Sequence, residues 1–288
     1  MTTSQQTKVY LSGPMFSDGD NFEQDKLADA LVAANFERHL PHRDGIEVGD
    51  IMQLVTDHTL RDGNVVEPLA LERCVVWVTR AVAALDVFQV IEGCQVTVLN
   101  IDGRVPDEGS LIEATLAWYA GHPVVPYKTT SISELGGNDN PMIGIICGWA
   151  PVSSTPAGVV AAVKAAVKSG AAGRQPVTTP PPDVQQLVEL GRVISDIRAG
   201  RPHTKLQRAA AARVLAALSP QLMELLEPVP LLQPICQGLV LAAIEYSQLW
   251  EDRYAKRRKT LFHEGIAQLQ SSMTPGITKA MGDNRIFA

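Results

Sequence analysis

The sequence predicts an α/β protein: a doubly wound, mostly parallel sheet, followed by an all-α C-terminal region. Three observations carry this. VTVL (96–99) is a short apolar run of the kind that sits inside a parallel sheet, and KVYLS (8–12) reads as a first strand. Each is followed by turn residues and then a helical pattern, the alternation that builds a parallel sheet. Beyond a stretch rich in Pro, Gly and Thr at 171–183, the pattern turns to helices without a strand signal.

In order, Lys8–Ser12 is the first strand, broken by Gly13-Pro14. Residues 21–34 form an amphipathic helix, with Phe22, Leu27, Leu31 and Val32 supplying its apolar face. Residues 36–40 make a short second strand ending at Pro41, HRDGIEVGD is a polar loop, and 50–58 reads as a short helix. A longer helical pattern covers 68–92 through Leu71, Val75, Val78, Val82, Leu85 and Ile91, with room for a break near Arg80 or Asp86. Residues 96–127, VTVLNIDGRVPDEGSLIEATLAWYAGHPVVPY, read as strand, acidic loop, helix and strand. Ser110 caps that helix, Leu111, Ala114, Thr115 and Trp118 share a face, and Gly121 ends it. GGNDNP (136–141) is a loop, and MIGIICGW after it fits either strand or helix. Thr155 caps a helix running to Val167, and 184–199, 205–218 and 232–270 are helical. The expected organisation is an α/β domain at 1–170, a linker at 171–183 and a helical domain at 184–288.

The bulk properties narrow the function. A net charge of −6 argues against a nucleic-acid polymer as partner. Cys74, Cys94, Cys147 and Cys236 form no C-x-x-C pair, so they read as reduced thiols of a cytoplasmic protein. The segment MTTSQQTKVYLSG has no secretory pattern, and the longest apolar stretch, near 238–244, is too short to cross a membrane. GPMFSDG is neither a dinucleotide fingerprint nor a P-loop, and no His pair has metalloprotease spacing. No cofactor or metal is expected.

Three segments place polar groups at carboxyl ends of predicted strands: Tyr10 with Gly13–Asp18, Asp102–Glu113, and Asn138–Asn140. In a doubly wound sheet these converge on one crevice. Asp107 and Glu113 can both face one small ligand there. Two readings of Glu113 are open. Ser110-Leu111-Ile112-Glu113 fits a capping box, in which the Glu only satisfies a backbone N–H. Alternatively Glu113, in the first helical turn, is kept ionised by the helix dipole and attacks a sugar carbon. Asp102, Asp107 and Glu108 are turn residues or ligand groups on the same footing. His42-Arg43-Asp44 borders the ligand or is a solvated loop, and RYAKRRK (253–259) is a solvated helix face.

KVYLSGPMFSDGD, LPHRDGIE, PDEGSLIEATLAWYAGHPVVPY and NPM, in that order over about residues 8–150, resemble the nucleoside 2-deoxyribosyltransferases. The resemblance implies a flavodoxin-like, Rossmann-like sheet. It implies Glu113 as the nucleophile on a 2′-deoxynucleoside, Asp107 as the carboxylate binding sugar or base, and Tyr10 as the tyrosine holding the nucleophile. Phe16 matches an aromatic at the base pocket. Asn140, followed by Met142, matches an Asn that binds the sugar hydroxyl from a neighbouring subunit, so a homo-oligomer with shared sites is implied. Gly13, Asp18 and Gly109 join these around the substrate. Asp86 is the candidate for an Asp on the helix before the middle strand, although its spacing to Cys94-Gln95 is one residue off. The implied activity is transfer of a 2-deoxyribosyl group between nucleobases, with a 2′-deoxynucleoside and a free base as partners. The alternatives are hydrolysis of a deoxynucleoside or its 5′-monophosphate, and a non-catalytic nucleotide sensor.

Overall fold

A computed structural model of the chain describes residues 6–15, 17–46, 48–49, 51–52, 68–103, 105–132, 139–170 and 179–199, with the backbone alone at 68–74 and 170. The predicted helices at 205–218 and 232–270 and the basic run at 253–259 lie outside the described residues.

Four parallel strands form the sheet: β1 (Lys8–Ser12), β2 (Glu37–His39), β3 (Val96–Asn100) and β4 (Val124–Tyr127), in the order β2-β1-β3-β4. This is a Rossmann-like, flavodoxin-like arrangement, as predicted. The side chains alternate between two cores. Val9, Leu11, Val96, Val98, Val125 and Tyr127 pack on Leu27, Ala28 and Leu31 of α1 (Asp18–Ala33) and on Val159 and Val163 of α6 (Pro156–Gly170). Tyr10, Leu99 and Val124 face the opposite way, onto Ala114 and Ala117 of α4 (Glu108–Tyr119) and Ile143 and Ile146 of α5 (Pro141–Ile146). Helices thus cover both faces, which is why the inner strands β1 and β3 are buried on both sides, whereas β2 at the edge is Glu-Arg-His. Further helices are α2 (Pro41–Asp44), α3 (Pro68–Phe88) and α7 (Pro182–Arg198).

Met1–Gly45 and Ala83–Gly191 make one compact unit, which contains every site residue considered below. Ile46–Val82 and Arg192–Ala288 make the other, in which Ile51, Met52, Trp77 and Val78 are buried. Within the first, Gly191 seats α7 against α3: a Cβ there would lie 1.9 Å from the Ala84 carbonyl oxygen.

Several local expectations are corrected. α1 starts three residues early, at Asp18, because Ser17 and Asp20 close a capping box. Phe22 and Val32 are exposed and leave the apolar face of α1 to Gln24, Leu27, Ala28 and Leu31, while Lys26 covers the Phe22 ring at 4.5 Å. The long helix does not break at Arg80 or Asp86. It widens after Phe88 into a π turn, Gln89–Gly93, closed by Cys94 N–H on the Gln89 carbonyl at 2.8 Å. MIGIICGW resolves as helix α5 and a turn. α4 is capped by Asp107 and not by Ser110, and it buries Ser110, Ala114 and Ala117, leaving Thr115 exposed. Its far end is as expected: Gly121, at φ 85°, lets Gly121 and His122 N–H groups return to Trp118 and Ala117. Among the described residues no helix is long and apolar enough to cross a membrane.

Candidate active site

The chain passes from β1 to β2 on one side and from β3 to β4 on the other, so the carboxyl ends of β1 and β3 form a switch point. Gly13 follows β1 there because nothing larger fits. A Cβ would lie 1.9 Å from Gln24 Nε2 and 2.7 Å from Asn100 Cβ.

Tyr10 is wholly buried in β1 and pairs across the ladder with His39, the rings stacked at 5.4 Å and 19°. That stack aims the phenol at α4, where Tyr10 Oη donates to Glu113 Oε1 at 2.8 Å. Two residues along β1, on the same face, Ser12 Oγ lies 2.6 Å from Glu113 Oε2 and 3.1 Å from the Ser110 carbonyl oxygen. Both oxygens of Glu113 are therefore held from β1. Because α4 begins at Glu108, Glu113 sits in the second helical turn, away from the free N–H groups of the helix start.

The electrostatics correct a second expectation. Glu113 is not held strongly ionised. Burial pushes its pKa up to about 7, against the lowering effect of the Ser12 and Tyr10 hydrogen bonds, and the charge of Asp107 adds to the rise. Asp86, near the end of α3, is raised well above the usual carboxylate range, first by burial and then by the charge of Glu113, with a Tyr10 hydrogen bond opposing. Asp86 and Glu113 thus lie close enough for the charge of one to disfavour the charge of the other. Tyr10 is raised by burial and by the negative charges of Asp86 and Glu113, so it stays a neutral donor. The result is two neighbouring carboxyls, both raised by burial, around one tyrosine hydroxyl, a grouping suited to nucleophilic attack with proton transfer.

The other predicted residues divide. Asp107 stands at the start of α4, its Oδ2 accepting from Ser110 N–H and Ser110 Oγ, each at 2.7 Å. Gly109 leaves room beside that carboxylate, where a Cβ would approach to 3.2 Å. Asp102 fastens the segment after β4, accepting from the Thr129 and Thr130 N–H groups and Thr129 Oγ1 at 2.7–2.9 Å. Asp18 is the exposed first residue of α1. Asn140 and Met142 stand exposed at the start of α5, the Asn140 amide oxygen accepting from Met142 N–H at 3.0 Å, apart from the Tyr10–Ser12–Glu113 cluster. His42 and Arg43 both reach Asp25 of α1 at 3.2 Å. Phe16 and Asn138 lie outside the described residues.

Ser12 reads from the sequence as a candidate phosphate-cradling hydroxyl; the structure instead sets it against Glu113, for which the sequence signal is its position two residues after Tyr10 on the same face of a strand. The π turn bears on Asp86. A π turn takes one more residue than an α turn, so it can absorb a one-residue difference in spacing before β3 while Asp86 still reaches Tyr10.

A separate cleft of about 790 Å³ lies against β4, lined by residues such as Pro123, Val124, Cys147, Ser153 and Ala166, and includes none of the candidate residues. Burial pushes its one thiol, Cys147, up to about 12, which leaves it unreactive. Among the described residues no group of His, Cys, Asp and Glu could hold a metal ion. No protein-family model matches the chain, and no curated protein matches it.

Proposed function

We propose that the crevice transfers a 2-deoxyribosyl group between nucleobases, with Glu113 as the nucleophile. The observation that supports this most is the double tether of Glu113 by Tyr10 and Ser12 at the switch point. A helix cap needs no such tether; a nucleophile that must meet one carbon atom does.

One oxygen of Glu113 attacks the anomeric carbon of the deoxynucleoside as the C–N bond to the base breaks. The bonding pair leaves with the base, which takes a proton from Asp86. The products are a deoxyribosyl ester of Glu113 and a free base. A second base then attacks the anomeric carbon of this ester as its C–O bond to Glu113 breaks, gives its proton to Asp86, and releases the Glu113 carboxylate. Two inversions give overall retention. In this reading Asp86, and not Asp107, is the proton donor. Asp107, with one oxygen occupied at the helix cap, has its other oxygen for a sugar hydroxyl. The exposed Asn140 and Met142 are then groups offered to the site of a neighbouring copy.

An unphosphorylated substrate is favoured over a 5′-monophosphate. The hydroxyls of Ser12, Ser17 and Ser110, which flank the crevice, are engaged with the carboxylates of Glu113, Asp20 and Asp107.

The test is incubation of the protein with a 2′-deoxynucleoside and a different free base, followed by chromatography. Exchanged nucleoside is expected, with loss of exchange in Glu113→Ala. Mass spectrometry after trapping with a 2′-fluoro nucleoside should find the sugar on Glu113. Base release at one rate with or without acceptor would make the activity hydrolytic. Tight binding without bond cleavage would overturn the catalytic reading.

A further inference from the structure

We infer that Ser12 is a positioning residue that follows the charge of Glu113, passing its one proton between Glu113 and the backbone of α4. The inference rests on the reading of Glu113 as a nucleophile, and deepens it.

Ser12 is 1% exposed and Ser110 is 2% exposed, so no bulk water competes for the hydroxyl. Ser12 Oγ has two acceptors in reach, Glu113 Oε2 at 2.6 Å and the Ser110 carbonyl oxygen at 3.1 Å. A hydroxyl has one proton to donate, so it serves one acceptor at a time. With Glu113 ionised, the shorter and charge-assisted bond takes it. When Glu113 Oε2 becomes neutral, by protonation or by forming a bond to carbon, it is a much poorer acceptor, and the proton turns to the Ser110 carbonyl. In the protonated acid, Glu113 Oε2–H can then donate to the Ser12 oxygen. No heavy atom has to move, because both acceptors lie within the rotation of one C–O bond.

The consequence is directional. Ser12 stabilises the carboxylate form of Glu113 more than the neutral form, because only the first hydrogen bond is charge-assisted. It keeps a buried carboxylate partly ionised near neutral pH, and it helps the carboxylate leave when the second acceptor attacks. Tyr10 differs. Its hydroxyl donates to Glu113 Oε1, and its other neighbour is the Asp86 carboxyl, a titratable group and not a fixed backbone carbonyl.

The experiment reads Glu113 directly and does not need turnover. Infrared difference spectra recorded across a pH titration, with the Glu113 band assigned by Glu113→Gln, give the midpoint of its ionisation. In Ser12→Ala that midpoint should move upward by about one pH unit, the effect of losing one charge-assisted hydrogen bond. Ser12→Thr, which restores the hydroxyl, should return it most of the way. An unchanged midpoint in Ser12→Ala, with the melting temperature showing an intact fold, overturns the inference. If Ser12→Ala melts at a markedly lower temperature, the Ser12→Thr titration decides: a midpoint at the Ser12→Ala value also overturns it. A shifted midpoint in a protein that exchanges no base leaves Ser12 as assigned and removes the transferase reading instead. Where exchange occurs, the ascending limb of kcat/KM against pH should move with the infrared midpoint.

Discussion

The starts of α1 and α4 carry the same local pattern, a serine followed three residues later by an acid, and the chain uses them in opposite ways. Ser17 and Asp20 close a reciprocal cap: Asp20 N–H donates to Ser17 Oγ at 3.1 Å and Ser17 N–H donates to Asp20 Oδ2 at 3.0 Å. Ser110 and Glu113 do not meet in this way. Ser110 is bound to Asp107, and Glu113 is drawn to β1. Magnitudes explain the choice. A cap hydrogen bond is worth about 1 kcal/mol, whereas a hydrogen bond to a charged group is worth roughly 1.5–3 kcal/mol, and Glu113 receives two. Once Asp107 caps α4 from three residues upstream, the helix start no longer needs the glutamate. A motif read locally names what a side chain could do; the neighbouring strand decides what it does.

The largest break in the comparison is expected on removing each acid. Glu113→Gln should lower base exchange by about 10³-fold or more, as for loss of a covalent nucleophile. Asp20→Asn should leave exchange within about twofold, because it touches only a helix cap. Steady-state rates with saturating deoxynucleoside check both. Equal losses in the two variants would remove the distinction between cap and nucleophile.

That distinction also marks how much of the molecule was legible. The inner strands were, because a parallel strand buried on both faces is mostly apolar, and the bounds Lys8–Ser12 agree to the residue; β2, which is Glu-Arg-His, gives no such signal. The start of α1 was less so, since its capping box uses Asp in place of the usual Glu or Gln. The apolar face of α1 was misjudged because Gln24 occupies a core position and Phe22 does not. The π turn has no periodic signal of its own. For Glu113 the sequence offered two uses, and the deciding groups, Tyr10 and Ser12, lie 103 and 101 residues away. No window of local pattern spans that gap. Asp102 shows the reverse case, an acidic candidate wholly engaged in holding a loop.

The next effect is on stability. The pKa of Glu113 is about 7 in the folded protein, above its ordinary 4.5, so the native state binds a proton that the unfolded state has released. Stability from this group is complete below about pH 4.5 and is lost as pH rises through about 7. Glu113→Gln has no such loss, and its amide can still meet the two hydroxyls. The variant should match the native protein near pH 4 and exceed it near pH 8 by on the order of 2 kcal/mol, discounted for the part of Glu113 that touches solvent. Urea melts at the two pH values measure this. Asp20→Asn should show no comparable growth with pH.

Smaller still is the cap itself. Ser17→Ala should cost about 1 kcal/mol, from losing both the N–H acceptor and the bond to Asp20, with no shift of the pH profile of exchange. Ser110→Ala should cost less, since the Ser110 N–H still reaches Asp107. Thermal melts rank the pair.

The finest test separates the two roles of Asp107, cap and charge. Asn caps a helix about as well as Asp, so Asp107→Asn should keep α4 within about 0.5 kcal/mol of its native stability. It removes a negative charge that raises the pKa of Glu113. The ionisation of Glu113 should therefore move down, and with it the ascending limb of the exchange profile, by a few tenths of a pH unit, roughly the reach of one partly solvated charge. Asp107→Ala removes cap and charge together, so it should shift the limb in the same direction while costing about 1 kcal/mol more. A limb that moves in Asp107→Ala but not in Asp107→Asn would mean that Asp107 acts on Glu113 through the geometry of the helix start. In that case α4 would resemble α1 after all, with its cap setting the position of the acid that follows.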